Sequence, residues 1–305
     1  MEQFILTVKA QQQKYANPLV LIHGSWGSSA MWMGYTQFLS MKGFDVYAPD
    51  LRGHGKSEGA LAGATMSDYV ADVVRAVADH GLKDPVVVGH SMGGLIALMY
   101  AAEYGAKAVI AIDPSPSKEV QGEGVHKDYL AIYSPMDAGM PADPMEVMKA
   151  LPDIPQEMLM KMKDMLGMES GVARSERKLG ISIPKEKLPM PILFVGGELG
   201  ESVPFGIGIK TARAMADFYG KEVLEIKGAT HPGILIGEHA MEAVQGIEQW
   251  IAKTSEGSNR VFTCPVCGMQ YKDEEIAKRC EAWCTEHHSC NLDIISHAVK
   301  HSSIA

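Results

Sequence analysis

Ser91 lies in the stretch VVVGHSMGGLIALMYA (86–101), where Gly89-His90-Ser91-Met92-Gly93 has the form G-x-S-x-G. A serine hydroxyl is a weak nucleophile unless a base takes its proton and donors receive the oxyanion that forms on the substrate. The flanking residues suit that task. A run of valines precedes Ser91 and a helix-forming stretch follows. The small glycines permit a tight strand-to-helix turn that lifts the hydroxyl clear of a sheet. Free N–H groups at the start of the new helix, Met92 first, can then stabilise negative charge nearby. A second donor is expected in VLIHGSWGSS, at the backbone N–H of Ser25 or of Trp26. The base is expected at His231 in IKGATHPGI, singled out from the other histidines by its position after the last strand-like run. His23 and His90, which flank the motifs, read as turn-shaping residues.

A second constellation lies near the C-terminus. All five cysteines fall between Cys264 and Cys290, and four of them have the spacing C-x2-C-x12-C-x3-C. That is the spacing of a two-Cys, two-His zinc finger with cysteines at the histidine positions. CPVCG can fold as a knuckle, and DEEIAKRCEAWC reads as a helix that puts Cys280 and Cys284 on one face. Cys264, Cys267, Cys280 and Cys284 are therefore expected to hold one structural zinc, with His288 or Cys290 able to replace a ligand. The helix opens with Asp273, Glu274 and Glu275, whose charges would repel phosphate, so nucleic acid is not the expected partner. A structural cap, an interaction module and a metal-linked regulator remain open for this segment.

The elements that must position these residues are legible as short β-branched runs. They are PLVLIHG (18–24), FDVYAPD (44–50), PVVVGHS (85–91), KAVIAID (107–113), PILFVGG (191–197) and KEVLEIKG (221–228). Most are apolar at successive positions, as expected for strands covered on both faces. MEQFILTV reads as an added first strand rather than a signal peptide. Helical patterns alternate with the runs, such as 66–81 with Ser67 as its expected N-cap and Gly81 as its end. Strand–helix alternation implies a mostly parallel α/β sheet with its site at the carboxyl ends of the strands. The interval 115–190 has no clear strand, and nine of the twenty methionines lie between Met136 and Met168 within it. Met158, Met162 and Met165 fall at helical spacing, which predicts an amphipathic helix in a lid over an adaptable apolar pocket. The substrate expected for such a pocket is a small neutral ester.

These parts together resemble the α/β-hydrolase family, with a G-H-S-M-G-G elbow, an H-G-x-x-G loop at 23–27 and the segment DLRGHGKS (50–57). The resemblance covers residues 18–252. It implies hydrolysis of carboxylic esters through an acyl-enzyme on Ser91 with His231 as base, and needs no cofactor. A serine nucleophile sets the chain apart from haloalkane dehalogenases and epoxide hydrolases. Monoacylglycerol lipases, carboxylesterases and carbon–carbon bond hydrolases share it, and a carbon–carbon bond hydrolase is the alternative activity. The family's acid usually follows the seventh strand in a pattern like G-E-x-D, but this chain has GGELGES with Gly200 at the Asp position. Asp113, at the end of the family's sixth strand, is the first choice of replacement, with Glu198 and then Glu201 as alternatives. The missing usual acid also lends some weight to a non-catalytic binding protein.

The organisation expected is a hydrolase domain over 1–252, a polar linker at 253–260 (KTSEGSNR) and a small metal-binding domain over 261–305. A net charge of −9 argues against nucleic acid and anionic membrane as main partners. No apolar run reaches the roughly 18 residues of a membrane span. The expected location is the cytoplasm.

Overall fold

The computed structural model describes residues 2–259, 262–271 and 273–299. The chain divides into two compact units between Glu248 and Gln249. The strands of the first unit are β1 (Ile5–Val8), β2 (Leu19–Ile22), β3 (Val46–Pro49), β4 (Val86–His90), β5 (Ala108–Ile112), β6 (Ile132–Tyr133), β7 (Glu169–Ser170), β8 (Ile192–Leu199) and β9 (Glu222–Thr230). Seven of them form one sheet in the order β1-β3-β2-β4-β5-β8-β9. Only β1 runs antiparallel to its neighbour. Every run expected to be a strand is one, and the central strands β2, β4 and β5 are buried along their whole length. Burial on both faces explains why these runs show no alternation. Each fully buried aliphatic side chain there contributes about 1.5–3 kcal/mol relative to an exposed one.

Helices α1 (Met33–Lys42), α2 (Met66–Asp79) and α3 (Met92–Tyr104) follow β2, β3 and β4. The N-cap of α2 is Thr65, not Ser67. Thr65 Oγ1 accepts from Asp68 N at 3.1 Å, and Asp68 Oδ2 accepts from Thr65 N at 2.9 Å. The Thr-x-x-Asp spacing closes a reciprocal capping box that Ser67, one turn position further in, cannot make. Gly81, with φ +59°, lies just beyond the end of the helix as expected.

Between β5 and β8 the chain leaves the sheet and forms α4 (Lys118–Gln121), α5 (Pro144–Ala150), α6 (Gln156–Met165) and α7 (Gly171–Leu179). This insertion is not strand-free. β6 and β7 pair antiparallel, Ile132 opposite Ser170 and Tyr133 opposite Glu169. Two residues per strand are too few to leave a periodic signal in the sequence. α6 is amphipathic, with Met162 buried beside Leu151, Ile154 and Val203 while Met160 stands in solvent.

The first unit closes with α8 (Ile209–Tyr219), α9 (Gly233–Ile236) and the start of α10 (Ala240–Asn259). Within the expected polar linker at 253–260, residues through Asn259 are helical as the end of α10, and Arg260 and Val261 lie outside the described residues. Lys253 and Glu256 favour a helix, and one glycine lowers its stability by only about 1 kcal/mol.

In the second unit β10 (Phe262–Thr263) pairs antiparallel with β11 (Gln270–Tyr271), followed by α11 (Glu274–His287) and α12 (Leu292–Ile295). Asp273 caps α11, accepting from Glu275 N and Ile276 N. Tyr271 and Ala277 are buried with Cys264, Cys280 and Cys284 in a small core.

Candidate active site

Ser91 occupies the turn between β4 and α3 with φ 57° and ψ −119°, outside the regions an L-residue ordinarily favours. The glycines around it make that turn possible. A Cβ on Gly89 would lie 2.0 Å from Gly93 O, and one on Gly93 would lie 2.2 Å from Ile22 O. The sequence therefore needs both glycines for close backbone approach, as the elbow motif requires.

His231 follows β9 in the sheet-end loop. Its Nε2 lies 3.0 Å from Ser91 Oγ. With Nε2 accepting from the hydroxyl, Nδ1 carries the proton. Nδ1 lies 2.8 Å from Ile207 O and 3.5 Å from Asp113 Oδ2. Asp113, at the end of β5, is fully buried and has a φ of 41°. Its Oδ1 accepts from Gly197 N at 2.9 Å, whereas Oδ2 has no hydrogen-bond partner among the described residues. Burial pushes the Asp113 carboxyl up to about 6, against the pull of His231. A buried oxygen left facing an imidazole N–H is set to pair with the imidazolium when it forms. Such contacts commonly tighten only on substrate binding.

The alternative acids lie elsewhere. Glu198 is exposed and accepts from Gly228 N at 2.9 Å. Glu201 pairs with Lys210 at 2.7 Å.

The loop after β2 abuts Ser91, since a Cβ on Gly24 would lie 2.9 Å from Ser91 Cβ. The N–H groups of Ser25 and Met92 donate to no backbone or side-chain acceptor among the described residues, which leaves both free for an oxyanion. Trp26 turns with φ 62°. The two flanking histidines brace this architecture. His23 Nε2 accepts from Leu51 N at 3.1 Å and its Nδ1 donates to Gly24 O at 2.8 Å. His90 Nε2 lies 2.9 Å from His231 O and fixes the loop that carries His231. Burial, and then the neighbouring His54, lowers His23 to about 4, and burial with His231 lowers His90 well below its usual value. Both stay neutral. In DLRGHGKS, Asp50 accepts from Ser29 N at 2.6 Å and from Lys56 N at 2.8 Å, which ties that segment to the loop after β2.

Residues 19–245 match the family model described as Alpha/beta hydrolase family. The chain belongs to that family. Its relatives include a monoacylglycerol lipase of Mycolicibacterium smegmatis, 28% identical over 71% of this chain and 79% of the relative. A non-heme haloperoxidase of Rhodococcus erythropolis is 40% identical, but the match spans only 35% of this α/β hydrolase and 40% of the relative. Among solved structures, a monoacylglycerol lipase of Paleococcus ferrophilus superposes with a TM-score of 0.57 at 20% identity, over 83% of this chain and all of that one (100%). A thermophilic esterase of Thermogutta terrifontis gives 0.60 at 18% identity, over 83% and 93%. These superpositions bear on the fold.

Two cavities of the hydrolase unit meet at Ser91. One, of about 60 Å³, is walled by Met31, Met140, Met162, Leu166 and Leu235. It matches the expected methionine-lined apolar pocket. The other, of about 240 Å³, is lined by Arg174, Arg177 and Lys178 of α7 together with Tyr133 and Phe205. The expected apolar lining therefore lies on one side of Ser91 only. The three cations have the helical spacing i, i+3, i+4, which places them on one face. In a sequence such a set reads as a solvated surface, and nothing in VARSERKL marks that face as turned toward a cavity.

In the second unit, the sulfurs of Cys264, Cys267, Cys280 and Cys284 lie within 4.8 Å of one another. Cys267 Sγ lies 3.6 Å from Cys280 Sγ, which lies 3.9 Å from Cys284 Sγ. Sulfurs bound tetrahedrally to zinc at about 2.3 Å are separated by about 3.8 Å, so this donor set fits the ion. Gly268, with φ +72°, closes the knuckle, donating its N–H to Cys264 O at 2.9 Å. Cys290 is exposed, and neither it nor His288 belongs to the cluster. No described helix is long and apolar enough to cross a membrane.

Proposed function

We propose that the protein is a serine hydrolase of carboxylic esters that works through an acyl-enzyme on Ser91. The observation that carries this reading is the 3.0 Å contact between Ser91 Oγ and His231 Nε2, with Asp113 behind the same ring. In the reaction, Ser91 Oγ attacks the ester carbonyl carbon while His231 Nε2 takes its proton. The N–H groups of Ser25 and Met92 receive the oxyanion. The tetrahedral adduct collapses, the alcohol leaves with the proton from His231, and Ser91 retains the acyl group. Water, deprotonated by His231, then releases the acid and restores the serine. Asp113 holds the ring in the tautomer that accepts from Ser91 and stabilises the imidazolium.

The same triad suits carbon–carbon bond hydrolysis, but no feature of the pocket favours it over an ester. A fluorophosphonate probe and a series of p-nitrophenyl esters test the proposal together. Covalent labelling of Ser91 and ester turnover are expected. The absence of both would return the chain to the class of binding proteins that keep the fold without turnover.

For the second unit, the thiol geometry supports one zinc held by Cys264, Cys267, Cys280 and Cys284. A four-thiolate set leaves no open position for catalysis, and the ion's contribution is folding free energy. A four-thiolate metal site suits a reducing compartment, in keeping with a cytoplasmic location. Protein purified without added metal is expected to carry close to one zinc per chain by mass spectrometry, and a Cys264→Ser/Cys267→Ser variant close to none. Equal metal content in the two would remove the site. Chelation is expected to abolish the amide protection of residues 262–299 in hydrogen exchange while ester turnover persists.

A further inference from the structure

The cavity carrying Arg174, Arg177 and Lys178 opens beside Ser91, and its cations have no close counter-charge. None of the three makes an ion pair within 4 Å among the described residues. Arg177 donates instead to neutral oxygens, to Ser25 Oγ at 3.0 Å and to Ser115 Oγ and Tyr133 Oη, both at 3.4 Å. The Arg174 guanidinium lies over the rings of Tyr129 and Tyr133, at 4.7 and 4.6 Å from their centroids. Glu169 is buried; its Oε1 accepts from Tyr69 Oη and Ser170 N, both at 2.6 Å, its Oε2 faces His54 Nε2 at 3.5 Å, and the Arg177 charge acts on it only beyond pairing distance. Burial, followed by the charges of Arg177 and Arg174, lowers the Lys178 pKa. In a chain of net charge −9, three clustered and unpaired cations at the reacting centre are not a product of average composition.

We infer that the substrate is an ester carrying a carboxylate, which Arg174, Arg177 and Lys178 bind while an apolar group fills the methionine-lined cavity on the other side of Ser91. This inference rests on the reading of Ser91 as nucleophile. Guanidinium groups present paired donors matched to a carboxylate, and the methionine side chains adapt to the apolar part. The two cavities share Ser25, Trp26, Ser91 and Phe205, so one ester can place its scissile carbonyl at Ser91 with its two ends in different cavities. The carboxylate can belong to the acyl part, as in a hemiester of a dicarboxylic acid, or to the alcohol part, as in an acylated hydroxy acid.

Two matched pairs of esters separate these sources. On the acyl side, p-nitrophenyl hemiglutarate is compared with its methyl ester. On the alcohol side, 4-acetoxybenzoate is compared with methyl 4-acetoxybenzoate. In at least one pair kcat/KM is expected to favour the carboxylate by about ten-fold or more, the scale of one charge-assisted hydrogen bond. That ratio is expected to fall toward one in Arg174→Gln/Lys178→Gln, and part of the way in Lys178→Gln, whose position is exposed enough to fold in any case. A parent ratio at or below one in both pairs overturns the inference, and so does a preference that survives the double substitution. Turnover of the neutral esters in either case leaves the serine hydrolase reading standing. Should none of the four esters react and no probe label Ser91, that reading fails instead. Calorimetric titration of 4-acetoxybenzoate against its methyl ester then decides whether the cationic cavity binds carboxylate.

Discussion

Ser91→Ala is expected to lower ester turnover by about a million-fold, the scale seen when a serine nucleophile is removed from a triad. The loss should fall on kcat, because the oxyanion donors and both cavities that bind the ester remain. Alanine also suits the elbow sterically, since it adds no atom that Ser91 lacks. The variant is therefore expected to melt within a few degrees of the parent while losing all fluorophosphonate labelling. Turnover within ten-fold of the parent would show that another group attacks the ester, and no arrangement of His231 and Asp113 could rescue the mechanism.

The second large effect concerns the acid. Asp113→Asn is expected to lower kcat by about ten-thousand-fold, as losing the orienting carboxylate does in a serine triad. An asparagine amide can donate toward Nδ1 of His231, which favours the tautomer with its proton on Nε2. That tautomer cannot accept from Ser91. Glu198→Gln is expected to cost far less, because Glu198 is exposed and serves the backbone N–H of Gly228. The opposite ranking would move the acid to the turn after β8. The pH profile offers an independent check. The Asp113 carboxyl is pushed up to about 6 by burial, so it is charged above that pH and protonated below it. The orienting charge is thus present at neutral pH and lost as pH falls through about 6. The parent is expected to lose kcat/KM across that range, with the limb reporting the Asp113–His231 pair as a unit. In Asp113→Asn the carboxylate's part of that limb should disappear.

Much of this site can be read from the order of residues alone, because its parts lie where the backbone has little freedom. The strands are legible since burial on both faces demands unbroken apolar runs, and β2, β4 and β5 have them. Ser91 is legible because a close-approach turn leaves glycines on either side. Asp113 was harder to assign. Three acids stand near strand ends, and only the path of the chain puts one of them 3.5 Å from the imidazole and turns the others toward Gly228 or Lys210. The cations of α7 were illegible for a different reason. An Arg-Arg-Lys face looks the same in sequence whether water or a cavity lies before it, and the direction a helix faces is decided by tertiary packing. The helical form of 253–259 was hard to read for a similar reason, because a polar stretch with one glycine can continue a helix that is already nucleated.

The inserted segment between β5 and β8 has a bearing on how such an enzyme diversifies. Arg174, Arg177, Lys178, Met140 and Met162 all come from that single stretch of chain, whereas Ser91, His231 and Asp113 stand on the ends of sheet strands. The residues that would choose the substrate and those that would carry the chemistry thus come largely from different parts of the chain. Exchange of 114–191 would be expected to change which esters are accepted, provided that an acceptor for Thr230 stands where Asp153 now receives its N–H at 2.9 Å beside His231.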